Sequence, residues 1–365
     1  MMRRRPRSGR NHEDMTVSAD FHIAGRPIGA DHSPYIIAEL SGNHNGDLDR
    51  ALALVDAAAS TGADAVKLQT YTADTITIDA DAPEFRISGG LWDGRSLYEL
   101  YQEASTPWDW HAALFKRAEE HGLHCFSSPF DHTAVDFLEG LNAPAYKIAS
   151  FELVDTPLIR KAAGTGKPLI MSTGIANYAE IEEALKAARA GGAECVALLH
   201  CISAYPAKPE EMRLQTIEAL AAAFGVTVGL SDHTLGSAVT VASIARGATI
   251  IEKHLTLARS DGGPDADFSL EPQEFKQLVD DARMAHAAMG APRYDRAGVG
   301  GSNAQFRRSL YVVDDVAAGA ELTPENVRSI RPGHGLAPKH YDTVLGRTAG
   351  RDLKRGEALT WDMLG

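Results

Sequence analysis

Lys67 and Gln69 stand two residues apart in an apolar run, as do Ser231 and His233, and Glu252 and His254. In extended chain a spacing of two puts side chains on one face, so each pair points in one direction. A second lysine, Lys147, lies in the run Tyr146-Lys147-Ile148-Ala149. Two lysines among apolar residues are strongly unfavourable unless negative charge meets them. With Ser127, Ser150, Ser172 and Ser231 as hydroxyl donors, the anion reads as a phosphate or a phosphorylated carboxylate. The competing explanation pairs each lysine with a glutamate: Glu39, Glu152 or Glu252. His233 and His254 each stand beside a carboxylate, Asp232 or Glu252. Two imidazoles with positions left for water and substrate suit one divalent cation of the Mn, Fe or Zn kind better than Ca. Such an ion would polarise a carbonyl oxygen. His200 and His44 are weaker ligand candidates, and Cys125 and Cys201 read as buried core residues.

These residues need a scaffold that gathers them. From Pro34 onward, β-branched runs alternate with Ala-, Leu- and Glu-rich helical stretches. Eight runs predict strands: Ile36–Leu40, Val66–Thr70, Cys125–Ser128, Tyr146–Ala149, Leu169–Thr173, Val196–Cys201, Val226–Ser231 and Ile250–His254. Most are apolar at consecutive positions, as strands covered on both faces should be. Between them, Asp47–Ser60, Trp108–His121, Tyr178–Ala190, Leu214–Ala223 and Ser237–Arg246 predict helices. Eight strand–helix units over ~250 residues predict a closed (β/α)8 TIM barrel in preference to an open doubly wound sheet. Barrels keep their chemistry at the C-terminal strand ends, and every predicted strand carries polar residues there. The long segment Ala73–Pro107 falls on that side and reads as a lid or substrate-shaping loop.

The expected organisation is a disordered basic tail over residues 1–16, the barrel over 17–289, a linker over 290–304 and a small, mostly β domain over 305–365. The tail carries Arg3, Arg4, Arg5, Arg7 and Arg10 with no apolar stretch behind it, unlike a signal peptide, and an upstream start before Met15 would also explain it. The net charge of −13 argues against general binding to nucleic acid or anionic membrane. Three cysteines in no CxxC spacing point to a reduced, cytoplasmic protein.

The motifs together resemble the sialic acid synthase family. They are Ala38-Glu39-Leu40-Ser41-Gly42-Asn43-His44-Asn45-Gly46, Lys67-Leu68-Gln69-Thr70, Ser128-Pro129-Phe130-Asp131, Tyr146-Lys147-Ile148-Ala149-Ser150-Phe151-Glu152, Met171-Ser172-Thr173-Gly174, Gly229-Leu230-Ser231-Asp232-His233-Thr234 and Glu252-Lys253-His254. The segment Arg331-Pro332-Gly333-His334-Gly335-Leu336 resembles the family's antifreeze-like, or SAF, domain. The resemblance implies condensation of phosphoenolpyruvate with a six-carbon amino sugar, giving a nine-carbon α-keto acid and phosphate. Phe151 and the Leu91–Pro107 region, with Trp92-Asp93-Gly94, resemble the pseudaminic acid branch. N-acetylneuraminate and legionaminate synthesis are the alternatives within the same mechanism. A metal-free Schiff-base aldolase using Lys67 or Lys147 is the rival enzyme class, and a binding protein is the non-enzymatic one.

The resemblance also implies roles. Lys67, Lys147, Ser150, Ser172, Ser203 and Ser231 would hold phosphoenolpyruvate, with Ser203 standing where the neuraminate pattern commonly has asparagine. His233 and His254 would bind a divalent metal, Mn expected and Mg or Co also compatible. Glu39 or Glu152 would handle the water, and Tyr205, Glu252, Asp265 and Arg331 would meet the sugar or order the site. The expected assembly is a homodimer whose small domain covers the partner's barrel, with Arg331 reaching the sugar in trans.

Overall fold

The computed structural model describes residues 21–292, 294 and 301–365. The basic tail expected at 1–16 and much of the linker expected at 290–304 lie outside the described residues. The chain divides into two compact units that part between Gly290 and Ala291.

In the first unit, β1 (Phe21–Ile23) and β2 (Arg26–Ile28) form an antiparallel hairpin. Eight parallel strands follow: β3 (Tyr35–Glu39), β4 (Ala65–Thr70), β5 (His124–Pro129), β6 (Tyr146–Ile148), β7 (Leu169–Ser172), β8 (Val196–Cys201), β9 (Thr227–Asp232) and β10 (Ile250–His254). They close in sequence order, β10 pairing with β3. The barrel is the expected one, with each strand end within one residue of its predicted position.

Strand alternation divides the side chains into two cores. One face of each strand packs outward against the helices, for example Ile36, Leu68, Ile148, Met171, Leu198 and Ile251. The other face fills the barrel: Tyr35, Ile37, Ala65, Phe126, Ile170, Leu199 and Ile250 join Phe21, Ile23 and Ile28 in one buried cluster. The β1–β2 hairpin therefore plugs the N-terminal mouth. At Gly229 a Cβ would run into the Ile250 carbonyl and the Leu199 side chain, so only glycine lets β9 close on β10 there. Two residues further along this inner face, the apolar layer gives way to Glu39, Lys67, Ser128, Lys147, Ser172, Ser231 and Glu252, all buried.

The helices begin and end where local chemistry dictates. Leu48–Thr61 starts at Asp47, whose side chain accepts from Arg50 N, and stops at Gly62 in the left-handed region (φ 82°). The insertion after β4 is more ordered than a loop. It contains helices Ala73–Ile76 and Leu97–Ala104, the latter opened by a Ser96/Glu99 capping box. Between them, Ile87 N donates to the Arg95 carbonyl and Gly94 N to the Ile87 carbonyl, closing a turn.

The second unit pairs β11 (Ser309–Val312) with β12 (Val327–Ile330) antiparallel over a core that includes Leu310, Leu322, Val344, Leu353 and Leu359. Among the described residues no helix is long and apolar enough to cross a membrane.

A fully buried ion pair ties β9 to β10 on the outward side: Lys253 Nζ lies 2.9 Å from Asp232 Oδ2. Asp232 also accepts from Thr234 N, Thr234 Oγ1 and Thr240 Oγ1. Removing one partner leaves an uncompensated buried charge, so Asp232→Ala is expected to lower the unfolding free energy by about 3–5 kcal/mol. Urea denaturation followed by circular dichroism measures this, and the double variant Asp232→Ala/Lys253→Met should recover most of the loss.

Candidate active site

The polar layer opens into a small pocket at the C-terminal strand ends. Of the expected residues, Glu39, Lys67, Lys147, Ser150, Ser172 and Ser231 line it, as do Tyr205, His233, Glu252 and His254.

The two lysines differ. Lys67 Nζ lies 2.5 Å from Glu39 Oε2 and 3.6 Å from Glu252 Oε1, and donates to Ser128 Oγ at 3.1 Å. At Lys67, then, the glutamate-paired alternative holds. Lys147 Nζ donates to Ser172 Oγ at 2.6 Å and to the Ile148 carbonyl at 3.1 Å. Its recorded carboxylate neighbour, Glu252 Oε2, is 4.0 Å away.

The electrostatics follow that asymmetry. Burial pushes the Lys147 ammonium below its ordinary pKa, while at Lys67 burial is outweighed by Glu252 and Glu39, which raise it. Burial also works against charge on Glu252, but Lys147, Lys67 and His233 hold that carboxyl below its usual range. Glu39 goes the other way: burial lifts it to about 7 against the pull of Lys67, and Glu252 adds to the rise. Glu252 is thus the fixed negative charge, and Glu39 takes up a proton near neutrality.

Beside Lys147, Gly174 N donates to Ser150 Oγ at 3.2 Å, and a Cβ at Gly174 would collide with Ser150 Oγ and Ser203 Oγ. Ser203 Oγ is buried without a hydrogen-bond partner. Two hydroxyls around a side-chain-free backbone make a small cradle with unused hydrogen-bonding capacity, the feature an anion's oxygens require.

The imidazoles of His233 and His254 meet edge to face, with centroids 5.4 Å apart. His233 Nδ1 lies 2.9 Å from the Ile202 carbonyl and His254 Nδ1 lies 3.2 Å from Ser41 Oγ. Anchoring one ring nitrogen leaves the other Nε2 for the pocket. Burial, then His233 and Lys67, lower the His254 pKa and favour the neutral ring a ligand needs, whereas at His233 burial is outweighed by Cys201 and the Ile202 carbonyl, which raise it. Among the described residues no group of three or more His, Cys, Asp and Glu gathers around one point. The described residues offer a cation two imidazoles, and water and substrate would have to complete its shell.

Residues 54–294 match the NeuB family and residues 307–365 the SAF domain. The chain belongs to the NeuB family. It is 45% identical over 329 residues to the pseudaminic acid synthase of Campylobacter jejuni serotype O:2, covering 90% of this chain and 96% of that protein. The pseudaminic acid synthase of Helicobacter pylori is likewise 45% identical, over 331 residues, covering 90% and 97%. Among solved structures, the spore coat polysaccharide biosynthesis protein SpsE of Bacillus subtilis matches with a TM-score of 0.65 at 32% identity, covering 95% of this chain and 99% of that one.

Four expected site residues stand outside the pocket lining of this NeuB-family barrel. Ser203 is in the cradle just described. Asp265 is half-buried, its Oδ2 accepts from Gly42 N at 3.4 Å, and burial raises its carboxyl pKa. Arg331 is exposed in a turn of the second unit. Glu152 sits on a 3-10 turn, Phe151–Val154, with Oε2 buried and unpartnered. Two neighbours had no assigned role in the sequence. Ser41, held at φ 41°, orients His254, and Gln69 Nε2 donates to Glu39 Oε1 at 3.0 Å.

Burial lifts the Glu152 carboxyl to about 7 despite Lys147. A carboxyl raised above its unfolded value of about 4.5 stabilises the fold below that pH, and the contribution is lost as pH rises through about 7. Wild type should therefore lose up to about 3 kcal/mol relative to Glu152→Gln between pH 4.5 and 7. Paired urea unfolding curves across that range test it, and a constant difference between the two proteins refutes it.

Proposed function

We infer that the chain is a pseudaminic acid synthase, condensing phosphoenolpyruvate with 2,4-diacetamido-2,4,6-trideoxy-L-altrose and water to give pseudaminate and phosphate. The observation that carries this reading is Lys147. It is a buried ammonium that donates to the Ser172 hydroxyl, in a pocket also lined by two imidazoles, in a chain 45% identical to pseudaminic acid synthases. Phe151, exposed on the turn after β6, supports the pseudaminate branch over the neuraminate one.

Lys147 and Lys67 supply positive charge for phosphoenolpyruvate, with Ser150, Ser172, Ser203 and Ser231 as donors to its oxygens. His233 and His254 would hold the divalent ion, Mn expected, which when bound polarises the sugar's aldehyde oxygen. C3 of phosphoenolpyruvate attacks the aldehyde carbon of the open-chain sugar; the new C–C bond forms and the aldehyde oxygen takes up a proton. Water adds to the cationic C2 and passes its proton to a carboxylate. The C2–O bond to phosphate then breaks, phosphate leaves, and the C2 hydroxyl loses its proton as the ketone forms. Glu39 and Glu152 both sit at about 7. At neutral pH one can hold a proton while the other accepts one, the condition for an acid–base pair. Tyr205, Glu252 and Asp265 would meet the sugar or order the site around it.

Phosphate release in the presence of Mn tests the reading. Turnover is expected with the trideoxy-L-altrose, whereas turnover with N-acetylmannosamine alone moves the chain to the neuraminate branch. Lys147→Ala should lower kcat/KM for phosphoenolpyruvate by roughly 10–100-fold, the range for losing a hydrogen bond to a charged group. Near-wild-type kinetics in that variant overturn the anion assignment.

We also infer a homodimer in which Arg331 of one subunit completes the partner's site. The support is the family resemblance together with the exposure of Arg331. If the assignment is right, mixing and re-equilibrating two weakly active homodimers, Lys147→Ala and Arg331→Ala, restores activity, because one site per heterodimer then has both residues intact. A mixture no better than the average of its parents refutes it.

A further inference from the structure

The pocket's lining combines charged and hydroxylated side chains with the ring of Tyr205, and the reaction steps do not fix which part of the sugar meets that ring. Its charged and hydroxylated side chains account for an anion, a metal and a water. Tyr205 adds an aromatic ring to that lining. Its centroid lies 4.5 Å from that of His233 and 5.1 Å from that of Phe268. Trp92 extends this surface: its ring lies 5.6 Å from Tyr205 at an angle of 50°.

Trp92 comes from the insertion after β4, in the turn between Ile87 and Arg95. Its Nε1 donates to the Pro264 carbonyl at 2.9 Å, one residue before the half-buried Asp265. That bond orients the ring and satisfies its one polar atom. What the half-buried indole then offers is apolar surface, held at a site otherwise built for charge. Its hydrogen bond to Pro264 fastens the loop, and the same ring is held against a pocket residue.

We propose that Trp92 is the specificity-determining residue that reads the methyl-bearing end of the sugar. The assignment rests on the functional reading above. With its aldehyde at the imidazoles, an open-chain sugar extends its far carbons along Tyr205 toward Trp92. The trideoxy substrate carries three methyl groups, on C6 and on two acetamido groups, whereas N-acetylmannosamine carries one and has a hydroxyl at C6. An aromatic face favours the former, since burying apolar surface is favourable and burying an unpaired hydroxyl is not.

The test compares wild type, Trp92→Ala, Trp92→Phe and Trp92→Gln on two sugars, the trideoxy-L-altrose and its 6-hydroxy analogue 2,4-diacetamido-2,4-dideoxy-L-altrose. Trp92→Ala is expected to raise KM for the trideoxy sugar by roughly tenfold or more, the scale on which apolar pockets discriminate. KM for phosphoenolpyruvate should stay within about twofold, because no contact to that ligand is removed. The preference for the 6-deoxy sugar should collapse. Trp92→Phe should keep most of the preference, while Trp92→Gln, which retains a donor for Pro264 but no ring, should match the alanine variant. An unchanged preference in the alanine and glutamine variants overturns the assignment, as does an equal rise in both KM values, which marks Trp92 as a strut. Wild type inactive on the trideoxy sugar overturns the functional reading and the assignment together. Active wild type with insensitive variants overturns the assignment alone.

Discussion

Everything in the barrel answers to one constraint: two ammonium groups and two carboxylates are held out of water on top of an apolar plug. Charges in that position must be compensated where they stand. Glu39 compensates Lys67 at 2.5 Å, and Glu252 lies between the two lysines at 3.6 and 4.0 Å. Glu252 therefore serves both, Glu39 is lifted by burial to about 7 against the pull of Lys67, and Lys147 keeps positive charge that the Ser172 hydroxyl and the Ile148 carbonyl only partly satisfy. The anion site is the part of this network that the protein leaves unfinished.

The period-2 alternation of strands lets one segment do two jobs. His233 and His254 face the pocket while their chain neighbours Asp232 and Lys253 face outward and close a buried ion pair. The bond that fastens β9 to β10 is thereby one residue from each proposed ligand. Asp232 also grips Thr234, on the other side of His233, so the backbone carrying that imidazole is held from both flanks. Loops do comparable work: Ser41, strained at φ 41°, reaches His254, and Gly42 N beside it reaches Asp265.

The strands were legible because each is an apolar, β-branched run bounded by turn residues, a signal carried by consecutive positions. The hairpin β1–β2 was not, since three-residue strands are too short to show a period; only their contacts with the barrel floor mark Phe21, Ile23 and Ile28 as core. The polar set at the strand ends was legible too, through spacing of two and position in the rhythm. Which lysine is paired could not be read, because it depends on cross-strand distances between β3, β4 and β10. The same holds for Ser41, whose role comes from a loop conformation, and for Trp92, whose neighbour Tyr205 is more than a hundred residues away. Sequence spacing reports which face a residue is on; it does not report who stands opposite.

The net charge of −13 sharpens the point about local design. A negative chain repels an anionic substrate at long range, so the global field cannot be what collects one. Screening limits that field: at physiological ionic strength the Debye length is about 8 Å, which uncouples most surface carboxylates from the pocket. Within it, Lys147 and Lys67 act at a few ångströms through a poorly polarisable interior, where each charge counts for more than in water. The chain can thus stay acidic overall and still select an anion, provided its positive charge is buried and incompletely paired. Lys147, with the Ser172 hydroxyl and a backbone carbonyl close by and Glu252 at 4.0 Å, meets that condition more fully than Lys67, which has Glu39 against it.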